Sequence, residues 1–93
     1  MQRKAVRAII SGKVQGVWYR GWTVDQASGR GLSGWVRNRR DGTVEALFAG
    51  PADAVDAMLD ACRRGPPHAR VTAVDAEPAR DPGGTGFEQQ PTD

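Results

Sequence analysis

The alternation of apolar and polar residues predicts four main strands along the chain. Each is a short stretch that contains β-branched or aromatic residues and ends near glycine, proline or a charged turn. The four stretches are residues 5–11, 32–38, 43–49 and 70–77. Asp41-Gly42, between the second and third stretches, is typical of a hairpin turn, so we expect these two strands to pair.

Two helices are predicted between the strands. The clearer one has apolar residues at the spacing of a buried helical stripe: Val55, Met58, Leu59 and Cys62. It opens near Pro51, which suits the first turn of a helix, and Gly65-Pro66-Pro67 ends it. A more modest helix signal covers residues 20–28 and stops at Gly29.

The order of these elements is β-α-β-β-α-β, which predicts an α+β, ferredoxin-like sandwich. We expect an antiparallel sheet with two helices on one face, and one domain that spans residues 1–93. Residues 78–86 are rich in proline and glycine, so the tail of residues 78–93 is predicted to be partly mobile. Residues 87–90 could add a short C-terminal edge strand. This fold hosts many functions, so function must be argued from individual residues.

Composition excludes several classes of protein. The chain has no apolar run long enough to span a membrane, and the apolar stretch after the basic N-terminus is too short for a signal peptide. A cytoplasmic protein without a membrane partner is the expectation. The only cysteine, Cys62, lies on the helical stripe, and the only histidine, His68, lies in a loop. These two residues cannot form a zinc or iron cluster, and the carboxylates are scattered without an EF-hand spacing. If the protein is an enzyme, we therefore expect its chemistry to run on arginine, lysine, asparagine, serine, tyrosine, carboxylate and backbone groups.

The charge of the chain is uneven along its length. The net charge is +2, yet residues 1–40 carry nine Lys and Arg against one acidic residue, whereas residues 41–93 carry four against ten. An anion site in the N-terminal half would benefit from this positive charge. A compact fold could equally interleave the two halves, so charge alone favours neither interpretation.

The stretch from Gly12 to Arg20, here called the anion loop, contains the parts of an anion-binding site. Gly12 and Gly16 allow a tight turn that directs successive backbone N–H groups into one concavity. The helix that follows adds unpaired N–H groups, and Arg20 at its start offers a planar fork of donors to a phosphate. The loop lacks the Gly-Lys-Ser/Thr of a nucleotide-triphosphate site. On these residues alone, an ordinary loop with a solvated arginine is an equally good interpretation.

A family resemblance carries the argument further. The anion loop, Gly12-Lys13-Val14-Gln15-Gly16-Val17-Trp18-Tyr19-Arg20, resembles the first signature of the acylphosphatase family, Gly-x-Val-Gln-Gly-Val-x-aromatic-Arg. Gly34-Trp35-Val36-Arg37-Asn38, continued by Gly42, Val44 and Gly50, is similar to the second signature. The resemblance extends over residues 9–74. Trp18 is a departure, since the family often has a smaller residue there.

The resemblance implies hydrolysis of a small acyl phosphate to a carboxylate and inorganic phosphate. A monomer is the expectation, but the sequence leaves the oligomeric state open. Arg20 and Asn38 would be catalytic, with Asn38 holding the attacking water through its neutral amide. The phosphate would be bound by Arg20 and by the backbone N–H groups of six residues: Gln15, Gly16, Val17, Trp18, Tyr19 and Arg20. No cofactor and no metal are implied.

The same residues could have purely structural roles, and other classes of protein share the predicted fold. Asn38 precedes a hairpin and could serve only the turn. The aromatic residues near the anion loop could fill the core or cover the loop rather than line a site. An RNA-recognition domain has the same element order, but the chain lacks the Lys/Arg-Gly-Phe strand motif of such domains, so no nucleic-acid partner is expected. A silent anion-binding module is disfavoured because it would not need Asn38.

Overall fold

A computed structural model of the chain describes residues 2–93. These residues form five strands and two helices, in the order β1 (Arg3–Lys13), α1 (Tyr19–Gly29), β2 (Ser33–Asn38), β3 (Val44–Pro51), α2 (Ala52–Arg64), β4 (Arg70–Pro78) and β5 (Phe87–Gln89). Every predicted element is present. The main difference in bounds is β1, which begins two residues earlier than predicted and continues to Lys13.

The strands form one sheet in the order β4-β1-β3-β2-β5. β1 to β4 pair antiparallel, which confirms the predicted ferredoxin-like arrangement, whereas β5 pairs parallel to β2. The sheet is therefore mixed rather than wholly antiparallel. The reason is topological: β4 ends at the end of the sheet where β2 begins, so the chain that crosses there must run alongside β2 in the same direction.

The core lies between one face of the sheet and the two helices. Alternate residues of the central strands are buried there, among them Ile10 of β1 and Phe48 of β3. The predicted stripe of α2 is buried against them: Val55, Met58, Leu59 and Cys62. The apolar pattern was therefore sufficient to identify the inner face of α2.

The helix α1 is anchored by a polar contact as well as by packing. Tyr19 is buried, and its hydroxyl donates to the backbone carbonyl of Cys62 at 2.7 Å. Burial raises the pKa of Tyr19 far above its ordinary value, so the phenol stays neutral and remains a donor. The hydroxyl of Thr23 donates to the carbonyl of Tyr19 at 2.8 Å within the first turn. These bonds fix the start of α1 against the end of α2.

The face of the sheet away from the helices carries an ion network around Glu45. This carboxylate is only 3% exposed and accepts from Arg7 at 2.5 Å and from Arg37 at 2.8 Å. Arg7 also contacts Glu77 at 3.1 Å. Burial alone would raise the pKa of Glu45, but the hydrogen bonds from Arg37 and Arg7 outweigh it, so the pKa lies below its ordinary value.

The tail after β4 runs back across the sheet and along β2. The N–H of Gly34 donates to Gly86 at 3.1 Å, and the N–H of Gln90 donates to Val36 at 2.8 Å. Asp93 then donates to the carbonyl of Asn38 at 3.0 Å. The predicted mobility of residues 78–93 stays a prediction. Within residues 2–93, no helix has the length and apolar character that crossing a membrane would require.

Candidate active site

Arg20 and Asn38 line the same small cleft, although they come from different elements. The cleft has a volume of about 150 Å³ and lies between the start of α1, the end of β2 and the strand β5. Its lining consists of Val14, Gly16, Trp18, Tyr19, Arg20, Gly21, Asn38 and Gln89. The fold thus brings together the two residues that the family resemblance names as catalytic.

A larger groove lies elsewhere but has the wrong chemistry for an anion. It measures about 350 Å³ and runs between Trp35 and the loop of residues 82–86. Its lining contains the carboxylate of Glu88 and no arginine or lysine. Of these two clefts, an anionic ligand would therefore prefer the smaller one at Arg20.

The backbone of the anion loop has the geometry of an anion concavity. Gly16 has φ 74° and Trp18 has φ 65°, so two left-handed residues alternate with ordinary ones. Such alternation directs successive N–H groups to one side. Within residues 2–93, the N–H groups of residues 15–20 have no hydrogen-bond acceptor. They are free to serve a ligand in the cleft.

Gly12 has a different part from the one its sequence position suggests. It lies inside β1, at the irregularity where the pairing with β4 shifts. A Cβ added to Gly12 would lie 2.1 Å from the carbonyl oxygen of Arg70. Gly12 therefore permits close approach of two strands, and the loop itself turns at Gly16.

Gln15 connects the anion loop to the hairpin that carries Asn38. Its side-chain Nε2 donates to the carbonyl of Arg39 at 2.7 Å and to that of Thr43 at 2.9 Å. The prediction for Gln15 concerned only its backbone N–H, so this positioning contact was missed. The sequence did contain a signal for this contact: residue 15 is a glutamine, whose side chain is long enough and has the N–H donors to reach a neighbouring loop.

Asn38 is the last residue of β2, paired with Val44, and it precedes the turn. The turn is closed by other groups: the N–H of Arg39 donates to Thr43 at 2.8 Å, and Asp41 accepts from the N–H of Thr43 at 3.0 Å. The side chain of Asn38 makes no hydrogen bond within the described part of the chain. The alternative that Asn38 serves the turn therefore finds no support in these contacts.

Arg20 is a half-buried cation without a carboxylate partner among residues 2–93. One of its Nη atoms lies 3.5 Å from the carbonyl of Gln90, which is a long contact for a hydrogen bond. By contrast, the side chains of Arg3, Arg7 and Arg37 on the sheet are each paired with an acid. The guanidinium of Arg20 therefore keeps most of its donors for an incoming anion.

The structure separates the six predicted phosphate-binding residues into two groups. Gly16, Trp18, Tyr19 and Arg20 line the cleft directly. Gln15 and Val17 do not line it: the side chain of Gln15 reaches the hairpin, and Val17 packs against the core. For Gln15 and Val17, only the backbone N–H could contribute to an anion site.

The tail supplies residues that the sequence analysis did not assign to the site. Gln89 of β5 lines the cleft, and the carbonyl of Gln90 lies 3.5 Å from an Nη atom of Arg20. In the sequence, only the expected edge strand at residues 87–90 hinted at this placement, and it did not show which residues of the sheet the strand would pair with. The parallel pairing with β2 is what carries these residues to the cleft.

The single cysteine and histidine take no part in the cleft. Cys62 is buried in the core, and burial raises the pKa of its thiol to about 12, so it is not a nucleophile at neutral pH. His68 is exposed in the loop before β4. In residues 2–93, no three side chains of the His, Cys, Asp or Glu type are placed to hold a metal ion together.

A ferredoxin-like sandwich with unpaired N–H groups and an unpaired arginine in one cleft defines a small α+β protein that is suited to bind a phosphate-like anion. Comparison with known proteins gives the family. The sequence profile of the acylphosphatase family, described as Acylphosphatase, matches residues 6–89. The chain belongs to the acylphosphatase family.

Individual relatives agree over nearly the whole chain. The acylphosphatase of Rhodospirillum rubrum is 63% identical over 89 residues, which cover 96% of this chain and 98% of the relative. The crystal structure of the Bacillus subtilis acylphosphatase is 36% identical with a TM-score of 0.90, over 96% of this chain and 99% of that one. The Coxiella burnetii acylphosphatase is 31% identical with a TM-score of 0.91, over 95% and 93%.

Proposed function

We propose that this protein hydrolyses acyl phosphates to a carboxylate and inorganic phosphate. The observation that carries the proposal is that Arg20 and Asn38 line one cleft. Gly16, Trp18 and Tyr19 of the anion loop line it too, and their backbone N–H groups have no acceptor among residues 2–93. Membership of the acylphosphatase family and the names of its relatives support the same reaction. Location in the cytoplasm and the monomeric state remain predictions from the sequence.

The phosphate of the substrate would be bound by the backbone N–H groups of residues 15–20 and by the guanidinium of Arg20. Fixed N–H donors and a planar cation stabilise charge on the phosphoryl oxygens without having to reorganise during the reaction. Because they supply the positive charge that the transition state needs, the proposed reaction requires no metal ion.

Asn38 would hold the attacking water in line with the leaving carboxylate. Its amide both donates and accepts, and it stays neutral over the working pH range. The water oxygen forms a bond to phosphorus while the bond from phosphorus to the acyl oxygen breaks, and that electron pair leaves with the carboxylate. One water proton passes to an oxygen of the transferred phosphate.

A separate acid or base is not needed for this reaction. A carboxylate is a good leaving group, so catalysis depends chiefly on positioning and on electrostatic stabilisation of the phosphoryl group. The cleft lining fits this division of labour, since it contains a cation and two amide side chains but no carboxylate or imidazole.

The test is phosphate release from benzoyl phosphate by the purified protein, with the spontaneous rate subtracted, in the presence and absence of a metal chelator. We expect turnover that the chelator does not change. Arg20→Lys should lose about 10²–10³-fold in kcat, because a point charge cannot reproduce the fork of donors.

The matched control for this substitution is Arg63→Lys. Arg63 lies on the exposed side of α2, paired with Asp60 at 3.0 Å, and this change should leave turnover as it is. Absence of turnover in the unmodified protein would overturn the proposed function. Retention of most activity in Arg20→Lys would overturn the role given to Arg20.

A further inference from the structure

Trp18 is a large apolar residue that the fold leaves uncovered beside the cleft. It is 63% exposed and is the one large hydrophobic residue among residues 2–93 with an exposed side chain. It nevertheless lines the cleft together with Arg20 and Asn38. An exposed tryptophan at a binding site calls for an explanation that packing does not give.

The five other aromatic rings of residues 2–93 each have a structural partner. Trp22 packs against Tyr19 with ring centroids 5.2 Å apart, and Phe48 stacks on Phe87 at 5.5 Å. The guanidinium of Arg37 lies over Trp35 at 4.9 Å from the ring centroid. Trp18 is absent from the core cluster, so its ring contributes little burial to the fold.

The position of the Trp18 indole depends on two features that are unfavourable locally: the left-handed backbone of Trp18 and the glycine at position 21 within a helix. Trp18 has φ 65°, a left-handed conformation that bulky residues rarely adopt. Gly21 lies in the first turn of α1, where glycine is a poor helix former. A Cβ on Gly21 would lie 2.1 Å from Nε1 of Trp18 and 2.7 Å from its Cδ1, so only glycine lets the indole lie against the helix backbone.

The size of the cleft determines where the rest of a substrate must lie. Its volume of about 150 Å³ is small beside the roughly 300–1,000 Å³ of typical ligand pockets. With a phosphate on the anion loop, the organic part of an acyl phosphate would extend to the rim. Trp18 offers a flat apolar surface at that rim.

We propose that the indole of Trp18 is the binding surface for the acyl group, and that it selects acyl phosphates with an aromatic or extended apolar group over acetyl phosphate. This inference rests on the proposed function. A flat ring gains from burial against an indole face, by an amount that grows with the apolar area covered, and acetyl phosphate has only a methyl group to bury.

The test compares kcat/KM for benzoyl phosphate with kcat/KM for acetyl phosphate, and its readout is the ratio of the two. We expect the unmodified protein to favour benzoyl phosphate and Trp18→Asn to reduce the ratio by about tenfold, since asparagine accepts the left-handed backbone but offers no ring. Trp18→Phe, which keeps a flat apolar ring, is the matched variant and should retain most of the preference.

Gly21→Ala tests the same contact without removing the indole. The new methyl group must displace the ring, so the ratio should fall in this variant as well. In the double variant Trp18→Asn with Gly21→Ala, the second change has no ring to displace and should add nothing. Gly21→Ala also keeps the proposal testable if Trp18→Asn fails to fold.

The possible failures are distinguishable. If the unmodified protein hydrolyses neither substrate, the proposed function is wrong. If it hydrolyses both and the ratio is unchanged in Trp18→Asn and Gly21→Ala, the inference about Trp18 is wrong and the proposed function stands. A loss of preference in Trp18→Phe as large as in Trp18→Asn would also overturn it.

Discussion

Replacing Gln15 by alanine removes the side chain that ties the anion loop to the β2–β3 hairpin. Both hydrogen bonds of its Nε2, to the carbonyls of Arg39 and Thr43, are lost. Neither carbonyl becomes an orphan, because Gly42 still donates to Arg39 and the N–H of Arg39 still donates to Thr43. The penalty for a buried unsatisfied acceptor therefore does not apply.

The loss of stability should equal the net value of two ordinary hydrogen bonds. At about 0.5–1.5 kcal/mol each, Gln15→Ala should reduce the free energy of unfolding by about 1–3 kcal/mol. The effect on catalysis should be larger. Without the bridge the anion loop can move relative to Asn38, and a displacement near 1 Å at a catalytic site lowers activity about 10²-fold.

The assays are urea unfolding followed by tryptophan fluorescence, and kcat/KM for benzoyl phosphate. Gln26→Ala on α1 is the matched control: it also removes a side-chain hydrogen bond, from Arg30 at 2.7 Å, but lies away from the cleft. The control should change stability by less than about 1 kcal/mol and leave kcat/KM as it is. If Gln15→Ala and Gln26→Ala behave alike in both assays, the proposed role of Gln15 in holding the anion loop in place relative to Asn38 is refuted.

Two further predictions concern other residues. Asn38→Ala should lose turnover while inorganic phosphate still inhibits residual activity or binds by calorimetry; loss of phosphate binding would assign Asn38 a different part. Glu45→Gln should reduce the free energy of unfolding at pH 7 by about 1.5–3 kcal/mol, because Glu45 is buried between two arginines. The pKa of Glu45 in the folded protein lies below the ordinary 4.5. The carboxylate therefore stabilises the fold above pH 4.5, and this stabilisation is lost as the pH falls through the pKa of the folded protein. Between pH 7 and pH 3, the free energy of unfolding should therefore decrease less steeply in Glu45→Gln than in the unmodified protein. In Glu77→Gln, where the replaced side chain is exposed, it should decrease as in the unmodified protein.

The sequence was informative where local pattern decides the structure. The stripe at Val55 and Met58 predicted α2 and its buried face, and Asp41-Gly42 predicted the hairpin. The two signatures pointed to Arg20 and Asn38, which the fold brings to one cleft. In each case residues close in sequence, or a long motif, carried the signal.

Contacts between distant segments could not be predicted in the same way. The side chain of Gln15 contacts a hairpin 24 to 28 residues further along the chain, and nothing in the loop specifies its acceptors. Glu45 alternates with buried residues as a solvent-facing position would, and its arginine partners appear only once the strand register is known. The parallel pairing of β5 likewise depends on where β4 ends.

The sheet order has a consequence for the kinetics of folding. Arg20, Asn38 and Gln89 reach the cleft from three distant parts of the chain, and β5 can add to the sheet only after β2 has been positioned. Topologies with such non-local pairings fold slowly compared with helical bundles, because loop closure must precede the contacts that reward it. In a refolding experiment, the helices could therefore recover their circular dichroism before the enzyme regains turnover. The return of turnover would then show that all five strands have assembled. The delay between the circular dichroism signal and turnover would measure how long the C-terminal strand takes to add to the sheet.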